Sequence, residues 1–284
     1  MPLLLHGDCL ELMKSIDNES VDLIFCDLPY GQTYCKWDCK IDLTKFWTEI
    51  MRIKKLNTPI FFTTTTKFGV DLISSAPKKC MFRYDLVWVK SAPAGFLSAK
   101  KMPMRKHEMI YVFYEKLPFY DLSSHKHKFV KDKEGNIKKS KPTKAGINNI
   151  YRDTKGDSPH GKYDPPLPVS VVKEEKQIIK GENNTYNTEG IKKPIVREKA
   201  DKYDPPLPNS MLEIKSTRGK HSTEKPVALM EWILKYYSKE GDVVLDPTMG
   251  SGSTGVACKN MNREFIGIEM NDEIYEVACN RLYD

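Results

Sequence analysis

The sequence predicts an α/β protein: a mostly parallel β-sheet with helices on both faces, interrupted by an irregular basic insertion. Three observations point there. Short apolar runs of strand length alternate with segments of helical periodicity over the first 115 residues. That alternation stops at about residue 116 and resumes at about residue 222. Two of the apolar runs end in short clusters of chemistry-bearing residues, Asp27-Leu28-Pro29-Tyr30 and Asp246 to Gly252.

The elements follow in order. Leu3-Leu4-Leu5 is a short strand that ends at Gly7-Asp8, and residues 9–16 follow as a helix. Val21 to Cys26 has the length and composition of a second strand. Residues 42–54 read as a helix capped by Asp42, with Phe46, Trp47, Ile50 and Met51 on one face. Pro59 to Thr63 is a strand, and residues 66–75 form a helix that ends before Pro77. Tyr84 to Val89 and Met109 to Phe113 are further strands. After the insertion, Thr223-Glu224-Lys225-Pro226 opens a helix to about Tyr237, with Thr223 as a candidate cap and Pro226 in its first turn. Val243 to Leu245 is a strand, Gly252 to Asn260 a helix, Phe265 to Ile268 a strand and Asp272 to Leu282 a closing helix.

The pattern divides the chain into 1–115, an insertion at 116–215, and 216–284. The insertion is rich in Lys, Pro, Gly, Asn and Asp. The net charge of the chain is +7, but residues 116–220 hold about 23 Lys+Arg against about 14 Asp+Glu, which leaves the remainder slightly acidic. A basic excess confined to one segment favours contact with a polyanion, the alternative being a solvated lysine-rich insertion. Within it, Lys162 to Pro168 (Lys-Tyr-Asp-Pro-Pro-Leu-Pro) recurs as Lys202 to Pro208. One repeat is too few for a solenoid and reads as a duplicated extended loop. Arg152, Arg197 and Arg218 are candidates for base contacts, although such residues more often meet phosphates.

No apolar run approaches the roughly 18 residues of a membrane span, and residues 1–10 lack a secretory pattern. A cytoplasmic protein with no membrane partner is therefore expected. The seven cysteines are scattered. Cys26, Cys258 and Cys279 sit in apolar or helical contexts and read as small core residues. Cys35 and Cys39 form the one close pair, but with no second pair nearby a metal site is not expected.

The strand end at Asp27-Leu28-Pro29-Tyr30 places a carboxylate, a stiff backbone and an aromatic ring side by side. A planar amino-bearing base could be held there by its edge and its face. A buried strand followed by a plain Pro-Gly turn is the simpler reading of these residues alone. The second strand end, Asp246-Pro247-Thr248-Met249-Gly250-Ser251-Gly252, is a Gly-rich turn leading into a helix. Its glycines allow close backbone approach, and the helix start offers free N–H groups to a carboxylate. Glu269, about 23 residues past Asp246 at the next strand end, is placed as ribose-binding acids are. The spacing is not the dinucleotide fingerprint, and no Gly-Lys-Ser/Thr phosphate loop is present. A nucleoside with an amino-acid tail fits best, which describes S-adenosyl-L-methionine.

Taken together, Asp27 to Tyr30, Lys220 to Pro226, Asp246 to Gly252 and Phe265 to Glu269, with Gly7 to Leu10 and Asp85 to Lys90, resemble the permuted (beta-class) bacterial and phage DNA adenine-N6 methyltransferases. The blocks occur in that family's order and cover about two thirds of the chain. One departure is Leu28, where the family carries Pro; only a backbone carbonyl is needed there. The resemblance implies a Rossmann-like methyltransferase sheet with circularly permuted motif order. It implies S-adenosylmethionine as cofactor and double-stranded DNA as partner, and it leaves a homodimer and a cognate restriction endonuclease open. It implies a catalytic site at Asp27, Leu28, Pro29 and Tyr30. Cofactor contacts are implied for Asp8, Lys225, Asp246, Pro247, Thr248, Gly250, Ser251, Gly252 and Glu269. Asp8 would meet the cofactor adenine or cap the helix after it, and Lys225 would meet the amino-acid end or be a solvated helix-start residue. Alternatives are cytosine-N4 or RNA methylation on the same fold, a small-molecule methyltransferase, and a catalytically silent nucleic-acid-binding protein. The Pro-Pro pairs of the two repeats resemble the family's catalytic tetrapeptide, but neither follows a buried strand or ends in an aromatic ring.

Overall fold

The computed structural model describes residues 2–31, 41–94, 101–124, 126–127, 203–204, 211–216 and 224–283. Cys35, Cys39, Arg152, Arg197, Arg218, Lys220 to Thr223 and the Pro-rich repeats, apart from Tyr203 and Asp204, lie outside the described residues. The chain divides into two compact units. One, within Met1–Leu122 and Asn209–Asp284, holds the main sheet. The other, within Ser123–Pro166 and Val172–Pro208, holds a short antiparallel pair of strands, β6 (Lys126–His127) and β7 (Tyr203–Asp204).

The main sheet has eight strands: β1 (Leu3–His6), β2 (Leu23–Cys26), β3 (Ile60–Thr64), β4 (Phe82–Ala94), β5 (Arg105–Phe113), β8 (Met211–Leu212), β9 (Val243–Asp246) and β10 (Glu264–Glu269). Their spatial order is β1-β10-β9-β2-β3-β5-β4-β8, and every pairing is parallel except the two made by β5. The C-terminal segment therefore enters the middle of the sheet, with β9 hydrogen-bonded directly to β2.

Side-chain alternation splits the apolar residues between two cores. Leu23 and Phe25 face one core, Ile24 and Cys26 the other. All four are buried, because a parallel strand covered on both faces has no solvent side. On one face lie α1 (Cys9–Leu12), α2 (Leu43–Ile53) and α3 (Thr66–Ser75), which contribute Met13 just beyond α1, Phe46, Trp47, Ile50, Phe68 and Leu72. On the other lie α4 (Val227–Tyr237), α5 (Ser253–Asn260) and α6 (Asp272–Tyr283), which contribute Leu229, Ile233, Ala257, Ala278 and Leu282.

Most elements match the sequence expectation, and the differences have local causes. The helix expected over 9–16 is α1 followed by a 3-10 turn at Met13–Ser15, after which Ile16 turns extended. The helix expected to begin near Thr223 begins at Val227, with Pro226 in the extended N-cap position. Pro has no N–H to donate into a preceding turn, and its ring disfavours helix in the residue before it. Asp42 caps α2 as expected, accepting from the N–H groups of Thr44 and Lys45. Cys26 and Cys258 are core residues; Cys279 is only partly buried. Among the described residues no helix is long and apolar enough to cross a membrane.

Candidate functional site

The C-terminal ends of β1, β2, β9 and β10 open onto one cavity of about 740 Å³, a size typical of small-molecule sites. Parallel strands leave their carboxyl ends on the same edge, and β9 and β2 are neighbours there. Every nominated site residue lines this cavity except Gly252, which lies behind it.

Asp27 is the first residue past β2. Its Oδ1 accepts from the Thr63 hydroxyl and, at 3.0 Å, from the Tyr30 hydroxyl. Its Oδ2 accepts from Lys225 Nζ at 2.5 Å. Lys225 also lies 3.2 Å from Glu108, which pairs with Lys90 at 2.6 Å. Lys225 thus lines the cavity while bridging two carboxylates, Asp27 and Glu108, and is not a solvated helix-start residue. Burial pushes its ammonium toward the neutral form, but Asp27 and Glu108 outweigh that and hold its pKa above the ordinary lysine value. Burial likewise keeps the Tyr30 phenol well above its usual range, so it is a proton donor to Asp27 at neutral pH. The Tyr30 ring rests against Phe68, centroids 5.3 Å apart. Leu28 buries its side chain, which leaves its backbone as the group it can offer.

The loop from Asp246 to Gly252 is held from within. Asp246 is buried and accepts from Thr254 Oγ1 at 2.6 Å and from the Thr248 N–H at 3.2 Å. Burial pushes its carboxyl up to about 7, against those hydrogen bonds. Gly250 and Gly252 both have positive φ, +53° and +83°. A side chain at Gly252 would also meet Leu282 and Ala278, so this glycine lets the start of α5 pack closely against α6. The Glu269 carboxylate accepts the N–H of Gly250 at 3.1 Å and of Asn271 at 2.8 Å. Asp8 lines the cavity and also caps α1 through the Leu10 N–H at 2.8 Å. The hydroxyl of Thr248 is the one buried side-chain polar atom among the described residues without a hydrogen-bond partner.

Four further residues, Thr63, Glu108, Arg281 and Glu224, were not among the expected site residues. Thr63 and Glu108 come from β3 and β5 and reach the site only through strand pairing. Glu108 did carry one signal, a lone carboxylate entering the apolar run Met109 to Phe113. Arg281 donates to Ser251 O and Oγ at 2.8 and 3.0 Å and pairs with Glu224 at 2.9 Å. Glu224 in turn accepts from Ser253 Oγ at 3.2 Å. This ties the cofactor-side loop to α6 and to the start of α4.

With this geometry in view, comparisons with known proteins add the following. The N6/N4 Mtase family model, described as DNA methylase, matches residues 21–280. The Type II methyltransferase M2.DpnII of Streptococcus pneumoniae is 46% identical over 70 residues, 25% of this chain and 26% of that protein. The chain's match thus spans about a quarter of that relative's length. The DNA adenine methyltransferase YhdJ of Escherichia coli is 28% identical over 292 residues, covering 98% of this chain and 82% of that protein. Among solved structures, an M1.HpyAVI–SAM complex matches with a TM-score of 0.55 and 21% identity, covering 99% of this chain and 100% of that one. At that identity the likeness is one of fold.

Proposed function

The chain belongs to the N6/N4 DNA methylase family, and from that premise we propose that it is an S-adenosylmethionine-dependent DNA methyltransferase acting on N6 of a flipped adenine. The single observation that carries this reading is the meeting of the Asp27 carboxylate and the Gly250 loop in one cavity. A carboxylate that can grip an amine thus faces a loop suited to a nucleoside with an amino-acid tail.

The residues present fit that cofactor. Glu269 spends one lone pair of each oxygen on backbone N–H groups, which leaves capacity for two ribose hydroxyls. The unpartnered Thr248 hydroxyl and the loop backbone at Gly250 supply further polar contacts. No side chain crowds Gly250, so a ligand can approach its backbone closely. Arg281 holds Ser251 in place from behind. S-adenosylmethionine, when bound, supplies an electrophilic sulfonium methyl group.

The exocyclic nitrogen of adenine is a weak nucleophile because its lone pair is delocalised into the ring. In this reading Asp27 accepts one of its N–H groups and the Leu28 carbonyl accepts the other. The lone pair then turns out of the ring toward the methyl. Thr63, Tyr30 and Lys225 fix the carboxylate beforehand, so little reorganisation is left for the chemical step. Pro29 stiffens the backbone between the two acceptors, and Tyr30 supplies the ring beside the base. Residues 1–115 and 216–284 would make one catalytic domain, and the basic segment 116–215 would meet double-stranded DNA through its phosphates.

Adenine is favoured over cytosine because Asp27 stands where the family's N4 enzymes more often carry Ser, and because YhdJ is described as an adenine enzyme. The family model covers both bases, so cytosine N4 is the second reading. The test is methylation of DNA with labelled S-adenosylmethionine followed by nucleoside digestion. N6-methyladenine is the expected product. N4-methylcytosine would promote the second reading, and absence of both transfer and cofactor binding would overturn the proposal.

A further inference from the structure

We propose that Glu108 is a positioning residue for methyl transfer: it balances the charge of Lys225 and Lys90, so that Asp27 is pinned without an excess positive charge beside the reacting nitrogen. This rests on the methyltransferase reading above. The basis is a chain of four charges drawn from four parts of the fold. Asp27 follows β2, Lys225 precedes α4, Glu108 lies on β5 and Lys90 on β4. Lys225 Nζ is 2.5 Å from Asp27 and 3.2 Å from Glu108, and Glu108 is 2.6 Å from Lys90. The side chains of Lys225 and Glu108 are each 13% exposed, so solvent screens little of their interaction.

An ammonium beside Asp27 has two opposed effects. It completes the set of donors that holds the carboxylate. It also places a full positive charge close to the adenine nitrogen that Asp27 grips. During transfer the N6–CH3 bond forms as the S–CH3 bond breaks, and the electron pair of the broken bond stays on sulfur. Positive charge therefore builds on N6 until one of its protons leaves to solvent. An excess positive charge beside the site would oppose that charge, by roughly tenfold or more in rate. Glu108 cancels it. Lys90 pairs with Glu108 in turn, so the four groups together are neutral and loss of Glu108 leaves one excess positive charge.

A pair that only braced the fold would behave differently from one that balances charge. The experiment compares single-turnover methylation by wild type, Glu108→Gln, Lys225→Met, the double variant and Glu108→Asp. Cofactor affinity is measured by calorimetry, and folding by circular dichroism and urea denaturation. Glu108→Gln is expected to slow transfer about tenfold with cofactor affinity unchanged within twofold. Lys225→Met is expected to slow transfer less in the Glu108→Gln background than in the wild type, because there it also removes the excess charge. Glu108→Asp keeps the charge and is expected to stay near wild type. Losses that simply add in the double variant, or a Glu108→Gln rate equal to wild type, would overturn the inference while leaving the methyltransferase reading intact. A folded wild type that neither binds S-adenosylmethionine nor methylates DNA would overturn both.

Discussion

The ammonium of Lys225 lies 2.5 Å from Asp27 Oδ2, across 198 residues of sequence. This pair joins the start of α4 to the end of β2. Replacing Lys225 with Met would leave Asp27 and Glu108 facing each other without their shared cation. Breaking a buried pair from one side costs about 3 kcal/mol, and urea denaturation of Lys225→Met should show a loss of that order. A midpoint equal to wild type would mean that the pair does not hold the strand end and the helix together.

Asp27 itself is expected to separate chemistry from cofactor binding. Asp27→Ala removes the acceptor for the substrate N–H and leaves the Gly250 loop untouched. Transfer should fall by a factor of about 10³, while the Kd for S-adenosylmethionine changes only a few-fold. Single-turnover rates and calorimetry on the same preparation check both halves. Undiminished transfer would sink the mechanism.

Tyr30 combines a ring that rests on Phe68 with a hydroxyl bonded to Asp27 at 3.0 Å. Tyr30→Phe deletes only the hydrogen bond and should cost about tenfold in kcat, in line with a bond to a charged acceptor. Tyr30→Ala also removes the ring and should additionally raise KM for DNA. If Phe and Ala variants prove equal, the ring plays no part in holding the base.

Glu269 is expected to act on cofactor affinity alone. Its carboxylate holds the Gly250 N–H and, in the reading above, the ribose hydroxyls. Glu269→Gln should weaken S-adenosylmethionine binding by about 10- to 100-fold, measured by titration calorimetry. Saturating cofactor should then recover most of kcat. A low kcat at saturation would place Glu269 in the chemical step instead.

Asp246 makes stability depend on pH. Burial raises its carboxyl from the ordinary range near 4 to about 7. Between those values the folded chain holds a proton that the unfolded chain has released, so stability falls as pH rises. The contribution is full below about 4 and lost as pH passes through about 7, amounting to at most about 4 kcal/mol. Asp246→Asn carries no charge and should flatten this part of the Tm profile between pH 5 and 8. An unchanged slope in the variant would show that another group sets it.

Much of this was legible in the residues. Asp42 declared itself as a cap because an N-cap is a local matter of one side chain and two nearby N–H groups. Val21 to Cys26, of which Leu23 to Cys26 forms β2, declared itself as a buried strand because a parallel strand needs apolar residues on both faces. The Asp246 to Gly252 turn could be read from glycines whose positive φ a loop of that shape requires. Lys225 shows where such reading ends. Its place at a helix start was legible, but not its pairing with Asp27 and Glu108, because those two carboxylates come from distant strands.

The sequence by itself determined the strand and helix order, the two strand ends that carry chemistry, and the kind of ligand each could take. Those depend on local propensity, periodicity and the donors and acceptors of adjacent residues. Only the tertiary structure decided that β9 lies against β2, so that Asp246 and Asp27 open on one cavity. It alone brought Thr63, Glu108 and Arg281 to the site and set Lys225 between Asp27 and Glu108. Strand pairing and long-range charge neutralisation set those contacts, and neither leaves a fixed spacing in the chain.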